Sequence, residues 1–250
     1  MDFSGITRRR LLVSGGSGVL GLTVVGCSSP SPSASLPPTS SPASPASSSS
    51  PGAGGEALGG WNRVDLDFVS VYILVRGAEA AVVDLGVANS APDIEAGLKA
   101  AGMSWSSVKH ILLTHKHADH AGSLPTVAPL VTGSIHTGAA DVAALANAQV
   151  KPLDDGAEIF GLRVIGTPGH TAGHISIFDP STGVLVAGDA LRTVSGLQGA
   201  DPKYTDDTAR ANRSVRALAE LPVRTILPGH GAPITEDAAG KLRKLADSLT

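Results

Sequence analysis

One cysteine in 250 residues, Cys27, leaves the chain without an internal disulfide. It also leaves no thiolate for a metal or a nucleophile in the part that folds. Aromatic residues make up 3% of the chain, which points to a pocket without a stacking platform. Basic residues show no excess: 19 Lys and Arg stand against 22 Asp and Glu. That balance argues against a nucleic-acid partner, which favours a basic surface. The N-terminal apolar stretch from Leu11 to Gly26 has 16 residues, five of them glycine. A membrane-spanning helix needs about 20 strongly apolar residues, so this stretch is too short to span.

What the N-terminus does have is an address. Arg8, Arg9 and Arg10 precede Leu11-Leu12, and no acid lies between Asp2 and Glu56. Residues 1–27 therefore read as a signal peptide resembling those of the twin-arginine pathway, which carries folded cargo. The segment ends Val24-Val25-Gly26-Cys27, similar to a bacterial lipobox. That similarity implies cleavage before Cys27 and a lipid on its sulfur. A diacylglyceryl group has the two chains that stable anchoring requires. The implied location is the outer face of the bacterial cytoplasmic membrane. Residues 28–55 follow as a Ser/Pro-rich disordered tether; of the 24 from Ser28 to Pro51, 12 are Ser and 7 are Pro. Coiled or extended, it reaches from roughly 30 Å to about 75 Å.

Residues 56–250 are long enough for one buried core. Short apolar runs alternate there with helical patterns. Strands are predicted at Val69–Val75, Ala81–Val83, Val108–Leu113, Ser134–His136, Leu162–Gly166, Ile175–Phe178, Val184–Ala187 and Thr225–Leu227. Helices are predicted from Pro92 to near Gly102, from about Asp141, from Asp206-Asp207 to Leu221, and from Thr235. In that last helix Glu236 and Asp237 come early, and Lys241, Arg243 and Lys244 late, as the macrodipole favours. The order suggests packed sheets with helices outside. Loops near Trp61 to Phe68 and Leu191 to Tyr204 are expected to shape a pocket.

The chemistry concentrates in His115-Lys116-His117-Ala118-Asp119-His120. On an extended strand exit, side chains two apart share a direction, so His115 and His117 can bind one metal. Asp119 and His120 follow where the chain turns and can serve a second. Later strand exits add His170 in Thr-Pro-Gly-His-Thr, Asp189 in Ala-Gly-Asp-Ala, and His230 in Pro-Gly-His-Gly. The neighbouring Gly and Pro set sharp turns that hold these side chains at the lip of a sheet.

With these motifs, residues 61–235 resemble the metallo-β-lactamase fold superfamily of hydrolases. The resemblance implies an α/β fold, a four-layer αββα sandwich. It implies one metal on His115, His117 and His170 and a second on Asp119, His120 and His230, bridged by Asp189. Two Zn2+ ions with these donors would share a bridging hydroxide that attacks a substrate carbonyl or phosphoryl centre. Asp119 is the implied proton acceptor or orienting group. Asp84 matches a carboxylate that supports the ligands from behind. His174 reads as a residue that supports the ligands or the structure instead of binding metal, His110 as a surface residue, and His136 as one that could face the pocket without being a site candidate. Arg192, Lys203 and Tyr204 are candidates for the pocket rim.

Among branches of the superfamily, the commonest β-lactamases carry a cysteine where Asp189 stands, and another branch lacks the bridging acid. The ligand set is similar to that of the glyoxalase II thioesterases, but their helical C-terminal extension has no counterpart in the 20 residues after His230. RNA-processing relatives add nucleic-acid modules that have no match here, and flavodoxin-fused oxidoreductases are longer. The leading expectation is a binuclear zinc hydrolase of an ester, thioester, lactone or amide. The alternative is a mononuclear iron oxidoreductase of the persulfide dioxygenase type. A true β-lactamase and a non-catalytic binding lipoprotein rank below both. Substrate identity and oligomeric state are not legible.

Overall fold

The computed structural model describes residues 58–145 and 148–249. The signal peptide, lipobox and tether lie outside the described residues. Among the described residues no helix is long and apolar enough to cross a membrane.

Two six-stranded sheets form the centre. The first comprises β1 (Trp61–Leu66), β2 (Val69–Arg76), β3 (Glu79–Val83), β4 (Val108–Leu112), β5 (Ser134–Gly138) and β6 (Val150–Leu153), in that spatial order. β1 to β3 pair antiparallel; β3 to β6 pair parallel. The second comprises β7 (Glu158–Ile159), β8 (Leu162–Gly166), β9 (Ile175–Asp179), β10 (Val184–Arg192), β11 (Gln198–Gly199) and β12 (Thr225–His230), with β12 parallel to β10. Helix α1 (Ala91–Ala100) and the single turns α2 (Ala118–Ala121) and α3 (Leu124–Val127) belong to the first half. α4 (Thr208–Ala219) and α5 (Ala238–Ser248) belong to the second.

The period-two pattern of the strands sorts the core into three layers. Val71 and Ile73 of β2 pack with Ile94 and Leu98 of α1, while Tyr72 and Leu74 point the other way. Leu185 and Ala187 of β10 meet Val215 and Leu218 of α4, while Val184 and Val186 face back toward β2. Ile175, Ile177 and Leu227 complete that central layer between the sheets. The expected four-layer αββα sandwich follows directly. Polar ties cross the central layer too: the Tyr72 hydroxyl donates to the Pro228 carbonyl at 2.8 Å, and Arg76 pairs with Asp179 at 3.1 Å.

Several local expectations need correction. The Trp61–Phe68 segment is mostly strand β1, and Trp61 is fully buried in the central layer. Its sequence, WNRVDL, carries too many polar side chains to announce a strand. The segment at Asp141 is a 3-10 turn, Ala139–Leu145, instead of an α-helix. The last helix starts at Ala238, after Asp237 adopts a left-handed φ of 47°. Glu236 therefore precedes it, and Lys241 to Lys244 fall mid-helix, so the macrodipole pattern does not apply. By contrast, Asp207 does cap α4, accepting from the Arg210 amide at 2.9 Å.

Ile177 is fully buried between the sheets, whereas Leu130 is half exposed. Ile177→Ala should cost about 2–5 kcal/mol and Leu130→Ala under about 0.5 kcal/mol. Urea unfolding of the two variants measures the difference.

Candidate metal centre

The seven donors leave the lip of the sheets from five stretches of chain. His115 and His117 follow β4, and His117 is the residue from which α2 starts; Asp119 and His120 ride on its single turn. His170 follows β8. Asp189 lies within β10 where the register with β12 shifts, an irregularity that re-aims a side chain. His230 ends β12. Glycine is required beside these last two. A Cβ at Gly229 would stand 2.5 Å from Asp189 Oδ1 and 2.7 Å from His120 Cε1. Gly188, at φ 52°, would press a Cβ against Thr114 and His174.

The structure brings all seven predicted donors together in three overlapping groups. These are His115, His117 and His170; His115, His120 and Asp189; and Asp119, His120 and His230, with donor atoms in each group within 4.8 Å. Asp189 sits between the outer two groups. Its carboxylate lies 3.1 Å from His120, 3.3 Å from His170 and 3.3 Å from His230.

The hydrogen bonds behind the imidazoles decide which nitrogen faces inward. Thr114 Oγ1 donates to the acceptor-only Asp84 carboxylate, so it must accept from His115 Nδ1 at 3.0 Å. His120 Nδ1 donates to Asp84 at 2.8 Å, and His230 Nδ1 donates to the Phe68 carbonyl at 2.6 Å. Thr205 Oγ1 donates to the Asp201 carbonyl, so it accepts from His170 Nδ1 at 3.2 Å. Four Nε2 atoms are thereby turned into one volume. His115 Nε2 is buried there with no hydrogen-bond partner. His117 Nδ1 and His170 Nε2 stand 3.0 Å apart, and His120 Nε2 and His230 Nε2 stand 3.4 Å apart. Lone pairs at such distances need a proton or a cation between them, so the donor set fits a metal.

The electrostatics agree. Burial works against charge on His120, yet Asp189 and Asp84 outweigh it and hold the imidazole well above its ordinary value. Burial would raise Asp189, but His120 and His230 hold its carboxyl well below the usual carboxylate range. His115, buried among other imidazoles, is pushed well below its ordinary value and keeps a free lone pair.

Asp84 has the supporting place expected of it. It is 2% exposed, adopts a φ of 64°, and binds the Thr114 amide at 2.7 Å as well as His120. His174, expected to support the ligands or the structure, accepts the Asp189 amide at Nε2, 3.0 Å away. Its Nδ1 donates to Thr167, Thr167 to Ser176, and Ser176 to the Ala187 carbonyl, a directed chain that braces the β10 irregularity. Burial lowers His174 to about 3, so it stays a neutral acceptor.

Asp141, expected only as the start of a helix, has a role that the sequence does not announce. It is fully buried and accepts from the Lys116 amide, the Thr171 hydroxyl and the Gly173 amide. It thus ties the loop of His115 and His117 to the loop of His170. Its one signal in the sequence is a lone acid in an alanine-rich stretch. His110 is not a plain surface residue: it lies within β4, half-buried, with its ring 5.6 Å from that of Phe160. His136 is buried outside the metal centre, and burial lowers it to about 4. Of the proposed rim residues, Arg192 and Tyr204 line the cavity over the cluster; Lys203 does not, its ammonium lying 4.9 Å from the Tyr204 ring.

Residues 64–230, about two thirds of the chain, match the family model of the Metallo-beta-lactamase superfamily. The chain belongs to that superfamily. Within it, the probable metallo-hydrolase YflN of Bacillus subtilis is 31% identical over 261 residues, covering 84% of this chain and 99% of that protein. A hydroxyacylglutathione hydrolase of Pseudomonas putida is 36% identical over 155 residues, covering 58% of this chain and 54% of that enzyme. The chain thus spans about half the length of that relative. The crystal structure of TTHA1623 in a di-iron-bound form aligns with a TM-score of 0.56 at 26% identity, over 71% of this chain and 93% of that one. This superfamily member is a metal-dependent hydrolase with a divalent-metal centre.

Asp84→Asn removes the charge that orders Thr114 and His120. It should weaken zinc binding roughly 10–100-fold while circular dichroism stays unchanged. Titration with a zinc-competing chelator checks it.

Proposed function

We propose that the domain is a binuclear zinc hydrolase acting on an ester, thioester, lactone or amide. The observation that carries this reading is Asp189, whose two oxygens reach histidines of both outer groups. His115, His117 and His170 would hold one ion; Asp119, His120 and His230 the other. Two zinc ions so held supply Lewis acidity toward a substrate oxygen and acidify water to near neutral pH. The chain's own residues do the rest. Asp119 is one-third exposed and faces the cavity, 3.3 Å from His230. Burial opposes its charge, but His230 and His120 keep its carboxyl below the usual range. It is thus an ionised acceptor placed to orient the attacking water. Asp84, Asp141 and His174 hold the donors from behind and keep them in register.

The hydroxyacylglutathione hydrolase of Pseudomonas putida among the relatives is one support for the substrate range; the resemblance to the glyoxalase II ligand set is the other. A second reading places iron in the same donors as a persulfide dioxygenase-type oxidoreductase. That reading takes a single iron; the suitability of His and carboxylate donors for iron supports it, while the di-iron form of TTHA1623 supports iron as the metal but not a one-metal count. We further propose that residues 1–27 direct export and that a lipid on Cys27 anchors the domain outside the cytoplasmic membrane, with 28–55 as its tether.

Asp189→Ala should lower kcat/KM by more than the roughly 10–100-fold typical of a supporting residue, with the thermal transition retained. Turnover near the parent level would sink the two-metal mechanism. Cys27→Ser should move the mature protein from the membrane to the soluble fraction, as read by fractionation and blotting.

A further inference from the structure

Four large hydrophobic side chains are exposed among the described residues: Phe68, Leu130, Val194 and Tyr204. Three of the four line one cavity, of about 960 Å³, over the metal centre. Val194 is 66% exposed, Tyr204 58% and Phe68 55%, so none is held by core packing. Apolar surface gathered this way around a cleft marks a binding site more often than chance exposure. Apart from the donor cluster, the cavity wall carries two charged side chains, Arg192 and Asp201. They neutralise each other through an ion pair at 2.6 Å. The lining also includes the small apolar side chains of Val87, Ala88 and Ala118. The space beyond the metal centre therefore offers contact area without a free charge to receive an anionic group.

We propose that the substrate carries an uncharged aliphatic acyl chain that lies on Phe68, Val194 and Tyr204, with its carbonyl at Asp119 and Asp189. This rests on the hydrolase reading and narrows it. Water adds across the acyl bond: its oxygen goes to the acyl carbon, the C–O or C–S bond breaks, and a water proton leaves on the alcohol or thiol. No oxidant or reductant is involved.

The test compares p-nitrophenyl acetate, octanoate and monoglutarate on the zinc-loaded full chain. It also measures binding of the uncharged fluorophore N-phenyl-1-naphthylamine. The octanoate should exceed the acetate at least tenfold in kcat/KM, and the anionic glutarate should fall at or below the acetate. Val194→Asp should cut the octanoate-to-acetate ratio at least fivefold and weaken fluorophore binding by a similar factor, with Tyr204→Asp as a second variant. A flat chain-length profile or a preference for the glutarate overturns the proposal while leaving the hydrolase intact. If none of the three is cleaved, the ester branch of the hydrolase reading fails. Fluorophore binding sensitive to Val194→Asp then still upholds the apolar acyl site, and insensitive or absent binding ends both.

Discussion

Imidazole lone pairs facing one another across about 3 Å constitute the interaction on which this domain depends. Left alone, such an arrangement is unfavourable, because buried acceptors without donors lose their hydration without compensation. It exists because four of the five rings are gripped from behind. Asp84 and Thr114 grip His115 and His120, Thr205 grips His170, and the Phe68 carbonyl grips His230. These partners take up the Nδ1 protons and leave the opposite nitrogens to meet. The centre is therefore pre-set for a cation, which is what distinguishes it from a chance cluster of surface histidines.

The sandwich is the means of assembling those grips. Its central apolar layer fixes two sheets face to face; six donors leave from a strand end or a turn just beyond it, and Asp189 leaves from the irregular part of β10. Polar ties finish the alignment where apolar packing cannot. Asp141 joins the loops after β4 and β8, and His174 fixes the backbone of Asp189 through a chain ending at Ala187. The Asp141 and His174 side chains are themselves buried, so these ties are strongly directional and costly to leave half-made. The cavity above is different in kind: its wall is apolar and its two other charges cancel, so selectivity there comes from shape and apolar area.

Much of this was legible in the sequence, for identifiable reasons. The donors sit in tight Gly/Pro turns after apolar runs, and the run lengths and their order give away the strands. Asp84 was legible through the family resemblance, which places a supporting carboxylate there. β1 was not, because Asn62, Arg63 and Asp65 break its pattern while only Trp61 and Val64 are buried in the core. Asp141 was not, because a carboxylate that satisfies backbone amides across 25 to 32 residues leaves no local trace. The start of the last helix was misjudged because Asp237 takes a left-handed turn that Asp tolerates and the charge pattern does not reveal. Long-range polar contacts and local backbone exceptions are what a linear reading loses.

The central claim is that seven donors form one centre for two ions with Asp189 between them. Elemental analysis of the purified chain, grown with zinc and iron both supplied, tests it most directly. The account predicts about two zinc ions per chain, falling together when Asp189 is replaced by alanine. A single iron per chain, unaffected by that replacement, would contradict it.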